Sequence, residues 1–480
     1  MKRFATAALA ALAAVACTDS GQDPLAPSFD LAPAGSGTVW VTSPADAGPG
    51  SLRAALATAD GNPSVSRIRV DQRVRSIALQ SPLVYSGSQA LRIEGNNVEL
   101  LAGGVGTGQG AFLADGGADL YLGNLTVRNA PGVGITVSVP GTRTGTIAVT
   151  LDEVRAVDNG LHGVLINDQS EYFADPNSTA DLGSDATVEV KVWGSRFERN
   201  GFSALDQDGL RVNEGGLGDL RAEIRNTVVA GNGGDGIELD ERSIGSADFS
   251  IERSDLLANG GFDPSDYDDG IDVDEAGDGH LIGRFAQVRA NDNFEQGVDL
   301  NENDAGNLEV SMNKVWGSNN AEEGIEFEED DDFAGGGDLI ATLIDVTANG
   351  NGAADGDAGL KLREKGAGNL SARIVSPKTS GNVIGGVLVR EDSSGDLFAE
   401  IINATGIDNG GDGIEFDENS SGNLDARIDR AVATGNAGAG ILATQATSGT
   451  GLLTVRALTL GRNVGGDVVP DSGVVVNGLD

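Results

Sequence analysis

A glycine that precedes a β-branched or apolar residue returns at Gly209, Gly236, Gly270, Gly297, Gly324, Gly359, Gly386, Gly413 and Gly440, at separations of 27, 34, 27, 27, 35, 27, 27 and 27 residues. A period of this length cannot close a core within one unit; it marks units that bury their apolar faces by stacking. Within a unit the pattern alternates apolar and polar at period two, as in Ile414-Glu415-Phe416-Asp417 and Leu424-Asp425-Ala426-Arg427-Ile428, which is the signature of strand and not of helix. Leu220, Leu308, Leu370 and Leu397 open equivalent second segments, and a shorter third segment carries Val228, Val315, Val346 or Val432. Three short strands per coil, stacked at about 4.8 Å, predict an all-β solenoid, a single-stranded parallel β-helix. Earlier anchors at Gly110, Gly134 and Gly163, and a last one at Gly473, bring the expected count to about thirteen coils.

An asparagine recurs in each coil at Asn200, Asn232, Asn259, Asn293, Asn320, Asn351, Asn382, Asn409 and Asn436. The expectation is a structural ladder in which each Asn sits in a tight turn, adopts unusual backbone angles and bonds through its amide to its neighbours. The long intervals place insertions between Asn259 and Gly270 and between Asn351 and Gly359, just before a first strand, with a further insertion at about 169–182. A solenoid end exposes apolar core and strand edges, so it needs a cap. Residues 37–100 are the candidate cap: Thr38–Thr42 is strand-like, Ser51 starts a helix, and Leu52, Ala55, Leu56 and Ala59 share one helical face. The repeats then occupy 101–480.

The run from Val41 to Ala55, VTSPADAGPGSLRAA, and the N-x-x-x-G-I/V coils resemble bacterial right-handed β-helix repeat proteins of the pectin-lyase-like group. That resemblance implies a right-handed solenoid over nearly all of the mature chain. It leaves function open, since such a group holds lyases, hydrolases and adhesins.

Stacking turns matching positions into columns. Two residues after the anchor stand Arg211, Glu238, Asp272, Asp299, Glu326, Lys361, Leu388 and Glu415; four after it stand Asn213, Asp240, Asp274, Asn301, Glu328, Arg363, Arg390 and Asp417. Carboxylates about 5 Å apart repel by roughly 1 kcal/mol in water and more where water is excluded. Such a patch is relieved either by solvation or by a cation, and oxygen-only ligands suit Ca²⁺. The candidate Ca²⁺ ligands are Asp240, Asp272, Asp274 and Asp299 on the coils, with Asp266, Asp268 and Asp269 from the adjoining insertion. A candidate substrate groove runs past Glu326, Lys361, Arg363 and Arg390, the basic members being available as the base of a lyase. Five residues after the anchor an acid recurs at Asp168, Glu214, Glu241, Glu275, Glu302, Glu329, Glu364, Glu391 and Glu418, whatever the neighbouring columns carry. That constancy predicts coil closure through turn N–H groups and not catalysis.

The N-terminus bears on location. Lys2 and Arg3 precede an apolar Phe4–Ala16, and Ala14-Val15-Ala16-Cys17 resembles a bacterial lipobox, so residues 1–16 read as an export signal, with Cys17 lipidated and 17–36 as a tether to the outer membrane. Ordinary A-x-A cleavage at the same bond is the alternative, leaving a secreted protein. Cys17 is the only cysteine, which excludes disulfides. A net charge of -41 excludes nucleic acid as a natural partner and limits membrane contact to the N-terminal lipid. The two histidines, His162 and His280, fall in different turns and do not support Ser-His or Cys-His catalysis. The resulting expectation is a monomeric, envelope-anchored protein presenting an acidic, Ca²⁺-binding face to polysaccharide or surface proteins, with catalytic residues unassigned. The alternative is a carbohydrate-active enzyme, a polysaccharide lyase or glycoside hydrolase.

Overall fold

The structure, a computed structural model, describes residues 37–169, 182–265, 267–330, 336–352, 356, 358–446 and 448–478. The export segment 1–16, Cys17, the tether 17–36, Asp266 and most of the insertion at 169–182 lie outside them.

The alternating segments form strands that pair in parallel with their counterparts one coil away, and the chain is a right-handed parallel β-helix. The first strands of the coils make a fourteen-stranded sheet among the described residues, running from Leu83–Tyr85 to Gly466–Pro470. Its register holds matching positions opposite one another: Leu210 pairs with Ile237, and Ile237 with Ile271. Beyond the insertions the same register continues, with Ile325 opposite Leu360, then Val387, Ile414 and Ile441. All of these are buried. Each contributes about 1.5–3 kcal/mol by leaving water, and the column explains why coils cohere although none folds alone.

Two details differ from the sequence reading. Gly473 does not open the last first strand; Val474–Asn477 pairs with Gly451–Arg456 in the second sheet, and the last first strand is Gly466–Pro470, paired with Ala439–Gln445. The 27-residue step from Gly440 lands on Asp467, where no anchor glycine marks it. The expected three faces also merge into two sheets, because strands such as Leu281–Asn291 and Leu308–Ser318 run unbroken through the corner between second and third segments. Left-handed residues there, Gln287 at φ 58° and Lys314 at φ 59°, bend the chain without ending the pairing. In the third segments Val315 and Val346 face the core, whereas Val228 and Val432 flank the inward Val229 and Ala433.

The cap forms as expected. The helix Leu52–Gly61 starts at Ser51, whose hydroxyl accepts from the Ala54 N–H at 3.2 Å, and buries Leu52, Ala55, Leu56 and Ala59.

The asparagine ladder is continuous. Backbone N–H and side-chain Nδ2 of each Asn donate to Oδ1 of the next, as in Asn259 to Asn293 at 3.0 and 3.1 Å and Asn293 to Asn320 at 2.9 and 3.1 Å. It extends past the expected members to Asn159 and Asn463. The left-handed turn falls on the preceding residue and not on the Asn: Asp158, Arg199, Ala258, Asp292 and Asn319 have φ between 55° and 61°. That frees the amide to align with the stack. The ladder also explains the anchor glycines, since a Cβ on Gly270 would stand 2.5 Å from Asn293 Nδ2 and 2.4 Å from the Gly297 carbonyl oxygen.

Candidate functional site

The outer surface of the first-strand sheet carries the charge columns in the expected register. Arg211, Glu238, Asp272, Asp299, Glu326 and Lys361 are successive cross-strand partners, and so are Asn213, Asp240, Asp274, Asn301, Glu328 and Arg363. Their surroundings differ from the solvated-face alternative: Arg211, Glu238, Asp240, Asp274, Glu326 and Lys361 are all buried. Burying charges costs several kcal/mol per ion unless partners compensate, so the pairing of each carboxylate decides its role.

Around Asp240 the compensation is provided by arginine. Arg211 Nη2 lies 2.5 Å from Glu238 Oε1 and 3.0 Å from Asp240 Oδ2, and its Nη1 meets Asp206 at 3.1 Å. Arg242, 2% exposed, donates to Asp240 Oδ1 at 3.0 Å and to Asp274 Oδ2 at 3.3 Å. Arg242 was not singled out in the sequence; lying six residues past the anchor, it falls in neither charge column. Carboxylate oxygens of Asp206, Asp208, Asp235 and Glu238 lie within 4.8 Å of one another, and Arg211 pairs with three of these residues, Asp206, Asp208 and Glu238. Although burial acts to raise Asp208, His162 and Arg211 hold its pKa below the ordinary value.

One coil further on, the arginines stop. Oxygens of Asp269, Asp272 and Asp299 lie within 4.8 Å of one another, and among the described residues no Lys or Arg forms an ion pair with them. Asp272 and Asp299 face each other across adjacent strands, and Asp269 closes the insertion just before the Gly270 anchor. Asp269 Oδ1 accepts from the Gln296 N–H at 2.5 Å, and Asp299 Oδ2 accepts from Asn301 Nδ2 at 3.0 Å. Asp272 Oδ1 and Asp299 Oδ1 are buried with no hydrogen-bond partner among the described residues. Burial, with Asn301 acting against it and Asp274 reinforcing it, pushes the Asp299 carboxyl up to about 7. Asp272 and Asp269 are raised well above the ordinary range, by burial first and then by their neighbouring carboxylates. Such a set either retains protons or takes a cation, and three carboxylates without nitrogen or sulfur ligands match a hard divalent ion.

Of the seven expected Ca²⁺ ligands, the structure therefore brings Asp269, Asp272 and Asp299 together. Asp240 and Asp274 are engaged by arginine, Asp268 lies outside the cluster, and Asp266 is outside the described residues.

The expected groove residues are ion-paired. Lys361 bonds Glu326 and lies 3.0 Å from Glu328; Arg363 donates to Asp392 at 2.6 Å, and Arg390 to Asp417 at 3.1 Å. Burial acts to lower the Lys361 ammonium, but Glu326 and Glu328 outweigh it and raise its pKa.

The fifth-position acids form a second buried stack beneath this surface. Glu241, Glu275 and Glu302 are cross-strand neighbours, fully buried, as are Glu364, Glu391 and Glu418. Glu302, Glu391 and Glu418 accept turn N–H groups as expected, from Gly306 at 2.9 Å, Ser393 at 3.0 Å and Ser420 at 3.2 Å. On Glu241, Glu275 and Glu364 neither oxygen finds a donor among the described residues, because facing carboxylates offer none unless one keeps its proton. Burial accordingly raises Glu241 and Glu302 to about 9 and Glu214 to about 8.

No protein-family model matches the chain, and no curated protein sequence matches it. Among solved structures, the A-module of the mannuronan C-5 epimerase of Azotobacter vinelandii is similar at a TM-score of 0.41 and 13% identity, over 89% of this chain and 94% of that one. A tailspike protein of an Escherichia coli O157:H7 bacteriophage aligns at a TM-score of 0.36 and 9% identity, covering 79% of this chain, which spans 40% of the tailspike. The catalytic domain of an alpha-1,3-glucanase aligns at a TM-score of 0.34 and 13% identity, over 91% of this chain and 68% of that domain.

Proposed function

We propose that this protein is an exported carbohydrate-active β-helix protein that cleaves a polysaccharide laid along the first-strand sheet, with Asp269, Asp272 and Asp299 as its working centre. One observation carries the reading: Asp272 and Asp299 stand opposite each other, each with a buried oxygen that has no partner, and Asp299 exchanges its proton at about 7. A carboxyl that is part-protonated at neutral pH is suited to donate a proton to a glycosidic oxygen, while a second carboxylate stabilises positive charge at the sugar. Oxygens no more than 4.8 Å apart leave no room for a water between the carboxyls, which excludes the wide spacing of inverting glycoside hydrolases and leaves the retaining arrangement. The hydrolase form is favoured over a lyase because Lys361, Arg363 and Arg390 are held as cations by acidic partners and none is presented as a base.

The same oxygens support a second reading, cation-dependent glycan binding without cleavage, in which Ca²⁺ at the three aspartates replaces the missing protons. The test is to incubate purified protein with neutral and uronate-containing polysaccharides, with Ca²⁺ or with a chelator, and to measure new reducing ends and unsaturated products. Reducing ends that fall about a hundredfold or more in Asp299→Asn support the hydrolase. Absence of product from every glycan, together with Ca²⁺-dependent retention on one of them, overturns cleavage in favour of binding.

A further inference from the structure

At the N-terminal end of the solenoid, on the outer surface of the other sheet, a cavity of about 450 Å³ is lined by Trp40, Arg69, Arg92, Glu94, Tyr121 and Asn124, with Val70, Asn96 and Gly123 completing it. The strand register builds it. Trp40 pairs with Arg69, Arg69 with Glu94, Glu94 with Gly123, and Gly123 with Asp152, making one outward column. Arg67, Arg92 and Tyr121 make the adjacent column. Glycine at 123 opens the notch: a Cβ there would meet the Tyr121 ring at 2.6 Å, so its absence lets the ring lie across the sheet and reach Asp152 with its hydroxyl at 2.6 Å. The Arg92 guanidinium then stacks on that ring, 3.5 Å from its centroid, and donates from Nε to Glu94 at 2.8 Å.

The charge balance is unlike the rest of the molecule. Glu94 is shared by three guanidiniums, Arg69 at 2.6 Å, Arg92 at 2.8 Å and Arg67 at 3.8 Å. Counting Asp152, which receives the Tyr121 hydroxyl, three cations still face two carboxylates, in a chain whose net charge is -41. Beside these cations stands the half-exposed indole of Trp40, 51% accessible, with Arg69 5.4 Å from its ring centroid. An aromatic face next to pre-oriented guanidinium forks provides the two contacts that an anionic sugar ring needs, apolar stacking for its C–H face and paired N–H donors for its acidic group. Arg92 is immobilised by its stacking on Tyr121, so binding orders it little further.

We infer that this cavity is a binding site for an anionic pyranose, a sugar ring carrying a carboxylate or a sulfate. It lies on a different sheet from Asp269, Asp272 and Asp299, and does not depend on the cleavage proposed for them. A polysaccharide held here would be tethered at one end of the rod while its chain passes the other face.

The probes are oligogalacturonate, a sulfated oligosaccharide of similar length, and uncharged cello-oligosaccharide, each titrated into the full protein and followed by tryptophan fluorescence and calorimetry. Saturable binding of at least one anionic oligosaccharide is expected, about tenfold or more tighter than the neutral one, weakening with salt. Trp40→Ala and Arg92→Gln should each weaken it about tenfold or more. Arg69→Gln, at a partly exposed position, gives a second test should Arg92→Gln disturb folding, which the melting curve reports. Asp299→Asn should bind as the wild type does, separating this site from the cleavage centre. Equal affinity for charged and neutral oligosaccharides, no binding of any, or binding unchanged in both Trp40→Ala and Arg69→Gln overturns the inference.

Discussion

Two polar stacks run through the regular coils of this solenoid, from Asn159 and Asp168 onward, and their chemistry separates them. In the asparagine ladder every rung carries its own donor and acceptor, so Asn259, Asn293 and Asn320 satisfy one another completely out of reach of water. In the glutamate stack Glu241, Glu275 and Glu302 repeat with equal regularity, but a carboxylate only accepts, and the stack is complete only when protons are retained. An amide stack is therefore indifferent to pH, whereas a carboxyl stack is coupled to it. The last rung supports this contrast: Gln445 stands in register with Glu418, accepts from the Leu424 N–H at 2.9 Å and donates from Nε2 to the Gly422 carbonyl at 3.1 Å. A neutral amide fills the place a protonated glutamate fills elsewhere.

The contrast breaks most visibly at Asn293. Asn293→Ala strands the Asn259 N–H and Nδ2 donors and removes a bond to Asn320, so a loss of about 3–5 kcal/mol is expected in urea denaturation. A loss under about 1 kcal/mol would show that water replaces the rung. Next in size is the pH effect. Folded pKa values raised to about 7 at Glu418, about 8 at Glu214 and about 9 at Glu241 and Glu302 lie above the ordinary glutamate value. The folded state thus binds more protons than the unfolded chain, and this contribution is fully present below the unfolded pKa and is lost as pH rises through about 7 to 9. The denaturation midpoint should accordingly fall from pH 5 to pH 9, and a rising midpoint would place a cation among the glutamates instead of protons. Smaller still, Glu275→Gln should leave stability at pH 5 nearly unchanged and shallow the decline toward pH 9, because the amide brings the missing donor. Arg390→Gln, which removes a part-exposed pair with Asp417, should cost less than about 1 kcal/mol.

Much of the fold was legible because a strict 27-residue step carries register within it: Val387, Ile414 and Ile441 need only one another's positions to become neighbours. Even the glutamate column could be recognised as structural from its indifference to neighbouring charge. The candidate centre was legible only in part. The acidic columns were visible, but Arg242 lies outside every repeated position, and it decides that Asp240 and Asp274 are neutralised while Asp272 and Asp299 are not. The notch under Arg92 was not visible at all, since it arises from one glycine, Gly123, set among large residues in the least regular coils.

Sequence by itself determined which residues stack, because period two assigns each side chain to a face and period 27 assigns it to a column. Tertiary structure alone decided which stacked charges are buried, which are paired and which keep a proton. Those outcomes depend on distances of a few ångströms between side chains on different coils, and electrostatic energy in a dry environment changes steeply over such distances.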